Sequence, residues 1–205
     1  MPKGYTTRAK IENYLLIDID ASFHDQVDAW IEEVEAYIDQ KTGRNFVADP
    51  EESGEDAGAS TRRFDGDGTN KQMIDDCVAV TSVKLSVDDD PLEVEDFVLY
   101  PANAQSLSRP IPYTLIRLLS GAFPSYPPQG IYVKARWGYS ELAPKDIQTI
   151  ATVLVAGIIN YSWNAEGEIK SESIGRYSVT YKDDAGWKDF ERIEPTLASY
   201  YKYSM

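Results

Sequence analysis

The residues that could form a nucleophilic or zinc centre are few. His24 is the only histidine and Cys77 the only cysteine, so a Ser-His-Asp or Cys-His site would have to use one of them. No G-x-S-x-G motif is present, and His24 follows Phe23 at the start of a segment with an apolar stripe. One histidine and one cysteine also leave no usual zinc ligand set. We expect His24 to be an ordinary helix-start residue and Cys77 to be a buried structural thiol.

A second possible site is the acidic, glycine-containing segment at 65–70. A calcium loop of the EF-hand type needs oxygen ligands at its first, third and fifth positions, glycine at the sixth and glutamate at the twelfth. Here Thr69, Asn70 and Asp76 occupy the fifth, sixth and twelfth positions, and the flanking residues are typical of strands. Asp and Gly are also preferred turn residues, so we predict a hairpin turn that joins the strands on its two sides.

Adjacent carboxylates occur at Asp75-Asp76 and Glu95-Asp96, which chance alone produces in a chain with 34 acidic residues. A glycosidase needs two carboxylates at a fixed separation across a cleft, and adjacency in sequence does not supply that geometry. The sequence also has no Walker phosphate loop and no G-x-G-x-x-G motif. We therefore predict that the protein is not an enzyme and that it holds no cofactor and no metal.

The charge of the chain is unevenly distributed. The net charge is −14, and residues 1–100 hold 24 acidic and nine basic residues, against 10 and 11 in residues 101–205. This asymmetry is consistent with solubility alone, or with one acidic face that meets a basic partner or lines a channel. Sequence-general binding to phosphate backbones is not expected, because it needs clustered Lys and Arg.

Two helices are predicted at the N-terminal end, near residues 6–15 and 22–42. Thr6 or Thr7 can cap the first helix, and Ser22 can cap the second. Gly43 suits the left-handed position that ends a helix. The second helix carries apolar residues at steps of three and four, which place a stripe on one face: Phe23, Val27, Trp30, Ile31, Val34, Tyr37 and Ile38.

Strand-like alternation and turn residues dominate about 61–139, and a third helix follows near 144–163. Pro144 stands where the first turn of a helix tolerates proline. The apolar residues of this helix cover most of its circumference, so we expect it to be buried against the stripe of the second helix.

These elements predict an α+β fold, in which a small helical bundle carries a β-rich insertion at about 61–139 and ends in an extended C-terminal segment. We assign residues 1–163 to a core domain, with an acidic loop at 47–60, and residues 164–205 to a C-terminal extension that docks on the core or on a partner. No apolar run reaches membrane-spanning length, so we expect no membrane association.

Three separated pieces of the chain resemble the head-tail connector (adaptor, or head completion) proteins of tailed bacteriophages. The first piece is 5–46, a short helix, an acidic turn and a long helix that ends in Thr-Gly-Arg. The second is Arg63-Phe64-Asp65-Gly66-Asp67-Gly68, followed by the strand Val80-Thr81-Ser82-Val83. The third is 133–139, followed by Pro144-Lys145-Asp146-Ile147 at the start of a helix. The acidic loop and the residues after Ser162 have no counterpart in this pattern.

The resemblance implies a structural virion protein rather than an enzyme. Such adaptors form a ring, commonly a dodecamer, which binds the portal protein, extends the DNA channel and presents a platform to the next neck, stopper or tail protein. DNA passes through the ring without specific binding. The protein is then expected in the neck of the virion, at the head-tail interface, after synthesis in the host cytoplasm.

Two groups of residues are candidates for contacts in such a ring. Aromatic side chains anchor interfaces, so five of them are expected to bind the portal or a neighbouring subunit: Tyr126, Trp187, Tyr200, Tyr201 and Tyr203. An acidic wall would keep DNA phosphates from being held, so seven acidic residues are expected to line the lumen: Glu32, Glu33, Glu35, Glu51, Glu52, Glu55 and Asp56.

Two other functions fit the same composition. One is a different neck or tail-completion protein, such as a stopper or terminator, although those are usually rich in β-barrels and lack long helices like those near 22–42 and 144–163. The other is an acidic DNA-mimic inhibitor of a host protein, which would need carboxylates spaced like phosphates along one surface. Such an inhibitor would not require the strongly apolar third helix.

Overall fold

The computed structural model describes residues 2–49, 58–165, 171–174, 177–180 and 193–202. The chain divides into two compact units. The helical unit comprises Met1–Arg44 and Pro144–Met205, and the sheet unit comprises Asn45–Ala143. The chain divides near residues 44 and 143. The assignment of residues 1–163 to a core domain and 164–205 to a docking extension stays a prediction.

The described part of the helical unit includes three long α-helices: α1 (Arg8–Leu15), α2 (His24–Thr42) and α3 (Lys145–Ala165). Thr7 caps α1, because its hydroxyl accepts the backbone N–H of Lys10 at 3.3 Å. Gly43 ends α2 in the left-handed conformation with φ of 67°, as predicted. None of the described helices combines the length and the hydropathy that crossing a membrane requires.

The start of α2 differs from the sequence prediction, because Ser22 is not its cap. A short 3-10 turn, Ala21–Phe23, precedes the helix, and Asp20 caps that turn. The Asp20 carboxylate accepts both the backbone N–H and the hydroxyl of Ser22, at 2.9 and 2.6 Å. These hydrogen bonds lower the pKa of Asp20 below its usual value.

The core of the helical unit forms where α1 and α2 pack on α3. The stripe of α2 is buried at Val27, Ile31, Val34 and Ile38, as its periodicity predicts. On α3, residues on several sides of the helix are buried, which agrees with its broad apolar surface: Ile147, Ile150, Ala151, Leu154, Val155, Ala156 and Ile159.

Five strands are present among the described residues of the sheet unit: β1 (Ser60–Phe64), β2 (Lys71–Lys84), β3 (Phe97–Tyr100), β4 (Tyr113–Leu118) and β5 (Ile131–Trp137). Their order in the sheet is β1-β5-β2-β4-β3, and every pairing is antiparallel. The long strand β2 pairs with β4 near its start and with β5 over its second half, with register shifts that accommodate both neighbours.

One face of this sheet carries a hydrophobic core of its own. Trp137, Phe123, Ile116, Ile131 and Val133 are all at most 1% exposed. The Trp137 indole N–H donates to the Ser60 carbonyl oxygen at 2.8 Å, so the polar edge of this large side chain is satisfied within the core. All described members of this core cluster belong to the sheet unit.

Two further strands, β6 (Ser171–Ile174) and β7 (Tyr177–Thr180), pair antiparallel with each other in a separate sheet. A helical turn at 193–198 follows in the chain. Together with the residues up to 202, it belongs to the helical unit.

The predicted small helical bundle with a β-rich insertion is wrong as a description of this fold. The five-stranded antiparallel sheet forms a compact unit with its own core and is not an appendage of the helices. The sequence prediction missed this because the strand segments are short or polar, apart from β2 and β5. Their shared core becomes apparent only when strands that are distant in sequence are paired.

The hairpin predicted around 65–70 is also wrong, because β1 and β2 are not neighbours. β1 pairs with β5, and β5 lies between β1 and β2. The 65–70 loop is tied to residues 123–129 instead: the Asp65 carboxylate accepts the N–H of Gln129 at 2.6 Å, and the N–H of Gly68 donates to the Phe123 carbonyl oxygen at 3.1 Å.

Gly66→Ala is expected to destabilise the protein by about 1–3 kcal/mol, because a Cβ at this position would lie 2.2 Å from the backbone oxygen of Pro124. Equilibrium denaturation in urea measures the change. Gly157→Ala in α3 is the control: among the described residues, no atom outside the neighbouring turns of α3 lies within 4 Å of its added Cβ, and alanine should stabilise the helix by about 1 kcal/mol. Equal effects of the two substitutions would contradict the described path of the 65–70 loop.

Candidate partner-binding surfaces

Tyr200, predicted to bind a partner, is buried within its own chain. It is 4% exposed, and its hydroxyl lies 2.8 Å from both carboxylate oxygens of Asp146, in the first turn of α3. Its carbonyl oxygen accepts the Arg44 Nε–H at 2.6 Å, and the N–H of Lys202 donates to the carbonyl oxygen of Thr42 at 2.8 Å. Tyr200 therefore fastens the C-terminal segment to the ends of two helices and is not available to a partner.

The other aromatic candidates have different surroundings. Tyr126 is 80% exposed in the loop that precedes β5, and it remains a candidate for contact with a partner. Tyr201 is half-buried, and its hydroxyl donates to the Glu194 carboxylate, which raises the pKa of Tyr201 above its usual value. Trp187 and Tyr203 lie outside the described residues.

The acidic residues predicted for a lumen separate into three groups. Glu32 and Glu33 are exposed on α2. Glu35 is only 2% exposed, so its assignment to an exposed acidic surface is wrong. The four acidic residues of the loop, Glu51, Glu52, Glu55 and Asp56, lie outside the described residues.

Glu35 is buried because it binds the N-terminal segment. Its carboxylate accepts three consecutive backbone N–H groups, from Lys3, Gly4 and Tyr5, at 2.5, 2.9 and 2.8 Å. Three adjacent N–H groups that converge on one anion form a backbone nest, and Gly4, with φ of 92°, supplies the required left-handed conformation. One helical turn further on, Asp39 accepts the Tyr5 hydroxyl and the Lys3 ammonium group.

Cys77 and His24, the candidates for catalysis or metal binding, make contacts within their own fold. Cys77 is buried, and burial, with a further contribution from the charge of Asp76, raises the pKa of its thiol to about 12, so it is not a nucleophile at neutral pH. The His24 ring lies 3.2 Å from the Ile19 carbonyl oxygen. Within the described ranges, no three His, Cys, Asp or Glu side chains are grouped closely enough to hold a metal ion.

A row of cationic and aromatic side chains crosses the sheet and was not predicted. Arg63 of β1, Tyr132 of β5 and Lys84 of β2 are direct cross-strand neighbours, on the face opposite to the buried Ile131 and Val133. We call these three residues the cationic row. The guanidinium carbon of Arg63 lies 5.0 Å from the centre of the Tyr132 ring, within the range of a cation–π contact.

The signal for this row was present in the sequence. β5 alternates apolar residues with Tyr132, Lys134 and Arg136, so its second face is cationic as well as polar. Strands β1, β3, β4 and β5 contain no acidic residue. The cations of the row are distant in the sequence and become neighbours only when β1 and β2 pair with β5.

The fold is similar to that of chains from two solved particle necks. One structure is described as the neck of an empty GTA particle computed with C6 symmetry: the TM-score is 0.55, the identity is 12%, and the match covers 100% of this chain and 93% of that chain. The other is described as the neck of a native GTA particle computed with C12 symmetry: the TM-score is 0.50, the identity is 13%, and the coverage is 96% and 88%.

At these identities the similarity concerns the fold alone. It extends over nearly the whole length of both chains, so it includes the helical and the sheet units rather than one common motif. No protein-family profile matches the sequence. A search of curated proteins also found no match.

Glu35→Gln is expected to lower the free energy of unfolding by about 1–3 kcal/mol, because a neutral amide accepts the three N–H groups less well than the buried carboxylate does. Urea denaturation measures this loss, and hydrogen exchange at Gly4 and Tyr5 should accelerate. Glu33→Gln is the matched control on the exposed part of α2 and should change stability by less than about 0.5 kcal/mol. Unchanged hydrogen-exchange protection at Gly4 and Tyr5 would contradict the described binding of the N-terminal segment by Glu35.

Tyr200→Phe is expected to cost about 1–2 kcal/mol of stability, because it removes the hydroxyl that binds Asp146 in a buried setting. Tyr201→Phe, one residue away, removes a hydroxyl bound to the exposed Glu194 and should have an effect below about 0.5 kcal/mol. Thermal denaturation of the two variants provides the comparison. A larger loss for Tyr201→Phe would show that the C-terminal segment docks differently.

Proposed function

We propose that this chain is a structural protein of a phage-like particle neck, where copies form a ring between the portal and the tail. The observation that carries this proposal is the fold similarity, over nearly the full chain, to chains from two GTA particle necks. The sequence resemblance to head-tail adaptors supports the proposal independently, because that resemblance rests on sequence motifs and not on the fold. The protein would then be located in the virion neck after synthesis in the host cytoplasm.

In this proposal the ring binds the portal, extends the DNA channel and offers a platform to the next neck or tail protein. We propose twelve copies, because the portal-binding adaptors that the sequence resembles are commonly dodecamers and one of the similar necks was computed with C12 symmetry. A ring of this kind uses two different faces of each subunit, since every copy contacts one neighbour on each side. The exposed Tyr126 is a candidate for one of these contacts or for the portal contact, as are Trp187, Tyr201 and Tyr203.

The acidity of the chain suits a channel that DNA must traverse. A surface that paired with several phosphates would slow the passage of DNA, whereas an acidic wall does not hold it. We propose that acidic residues line the lumen, either on the exposed part of α2 at Glu32 and Glu33 or in the loop at 51–56. Glu35 is not part of this proposal, because its carboxylate is occupied by the N-terminal segment.

Negative-stain electron microscopy of the purified protein, alone and mixed with the portal protein of its own particle, tests this function. We expect a ring in the free protein, or added ring-shaped density at the outer end of the portal. An unrelated acidic protein of similar size, mixed with the same portal, is the control for non-specific binding. If neither sample contains a ring or a complex, the proposed function is wrong, and an acidic inhibitor of a host protein becomes the better hypothesis.

A further inference from the structure

We propose that the cationic row of one copy binds the acidic stripe of helix α2 of a second copy. This inference rests on the proposed ring and names the two surfaces that would join its subunits. The stripe consists of Asp25, Ala29, Glu32 and Ala36, which are all exposed. Steps of four, three and four residues place them within one narrow strip of the helix surface.

The cationic row lacks an anionic partner in its own described surroundings. Arg63 donates its Nε–H to the Gln129 carbonyl oxygen at 3.0 Å and stacks on Tyr132. Among the described residues, no carboxylate pairs with the Arg63 guanidinium or with the Lys84 ammonium group. The row thus presents two cations that no described carboxylate neutralises through an ion pair.

The two surfaces also match in spacing. Arg63 and Lys84 are separated by one intervening strand, so their Cα atoms lie about 10 Å apart across the sheet. Asp25 and Glu32 are seven residues apart on α2, which corresponds to about 10 Å along the helix axis. A helix laid across the strands can therefore bring both carboxylates to the two cations in one orientation.

The centres of the two surfaces are complementary in shape. Ala29 lies between the two acidic residues of the stripe, and Tyr132 lies between the two cations of the row. A methyl group at Ala29 allows the helix to approach the flat face of the sheet and to contact the tyrosine ring. Ala36 extends the same small-residue surface by one turn. Larger side chains at these positions would hold the charged groups apart.

Nucleic acid is a less suitable occupant for this row. The chain repels phosphates through its overall negative charge, and a duplex backbone is held by a run of several cations rather than by two.

A second copy is present in the assembly at high local concentration and carries both complementary surfaces. Each copy then gives its helix to one neighbour and its sheet to the other, which is a heterologous contact of the kind that closes a ring. This use of Glu32 leaves the proposed lining of the lumen to the acidic residues at 51–56.

Reciprocal charge reversal tests this contact. The sheet variant is Arg63→Glu with Lys84→Glu, and the helix variant is Asp25→Lys with Glu32→Lys. In the sheet variant both the row and the stripe are negative, and in the helix variant both are positive. Copies of a single variant therefore repel each other at this contact, so self-association should weaken on the order of 100-fold. In an equal mixture, the reversed row of one variant meets the reversed stripe of the other, and the remaining native surfaces meet each other. The mixture should therefore recover assembly in alternating copies.

Sedimentation velocity at low and moderate salt measures assembly, with the portal ring added if the free protein is monomeric. Lys71→Glu with Arg117→Glu is the matched control, because it makes the same charge change at the other end of β2 and should leave assembly intact. Recovery in the mixture also demonstrates that both variants are folded.

Several results would overturn the inference. Wild-type assembly by both variants, or no recovery in the mixture, would exclude this contact while leaving the ring itself in place. A wild-type chain that stays monomeric with and without the portal would exclude the proposed function as well. A duplex oligonucleotide that binds the wild type and not the sheet variant, with self-association unchanged, would assign the row to nucleic acid.

Discussion

The double pairing of β2 is the interaction on which the sheet unit depends. This 14-residue strand pairs with β4 near its start and with β5 over its second half. The edge strand β3 pairs with β4, and the edge strand β1 pairs with β5, so β2 joins the two halves of the sheet. Its register shifts let one strand satisfy two neighbours while Cys77 and Val83 still point into the same core as Trp137. The same pairing creates the cationic row, because it brings Lys84 beside Tyr132 on the opposite face.

In the helical unit, the buried Glu35 and the half-buried Asp146 bind segments that lie far from them in the sequence. Glu35 binds the backbone of Lys3, Gly4 and Tyr5, and Asp146 binds the hydroxyl of Tyr200. A buried carboxylate such as that of Glu35 costs free energy unless its hydrogen bonds are satisfied, which explains why it binds three N–H groups. From the acidic composition alone, Glu35 and Asp146 would be taken for residues that only increase solubility.

The sequence was sufficient for features that depend on near neighbours in the chain. The apolar stripe of α2, its end at Gly43 and a cap at Thr6 or Thr7 follow from spacings of a few residues, and the structure agrees, with Thr7 as the cap. The sheet was misjudged because β1 and β5 are about 70 residues apart, and no local pattern specifies that pairing. Glu35 and Tyr200 were misassigned for the same reason: their partners lie 30 and 54 residues away, so each appeared to be a surface residue of its own segment.

The central claim is that copies of this chain form a ring in the neck of a phage-like particle, and the particle itself provides the most direct test. A cryo-electron microscopy map of the assembled neck, resolved well enough to trace side chains, would locate the chain. We predict repeated copies around the DNA channel next to the portal, with the helical and sheet units both recognisable in the density. A neck in which this chain is absent, or is present as a single copy, would contradict the claim.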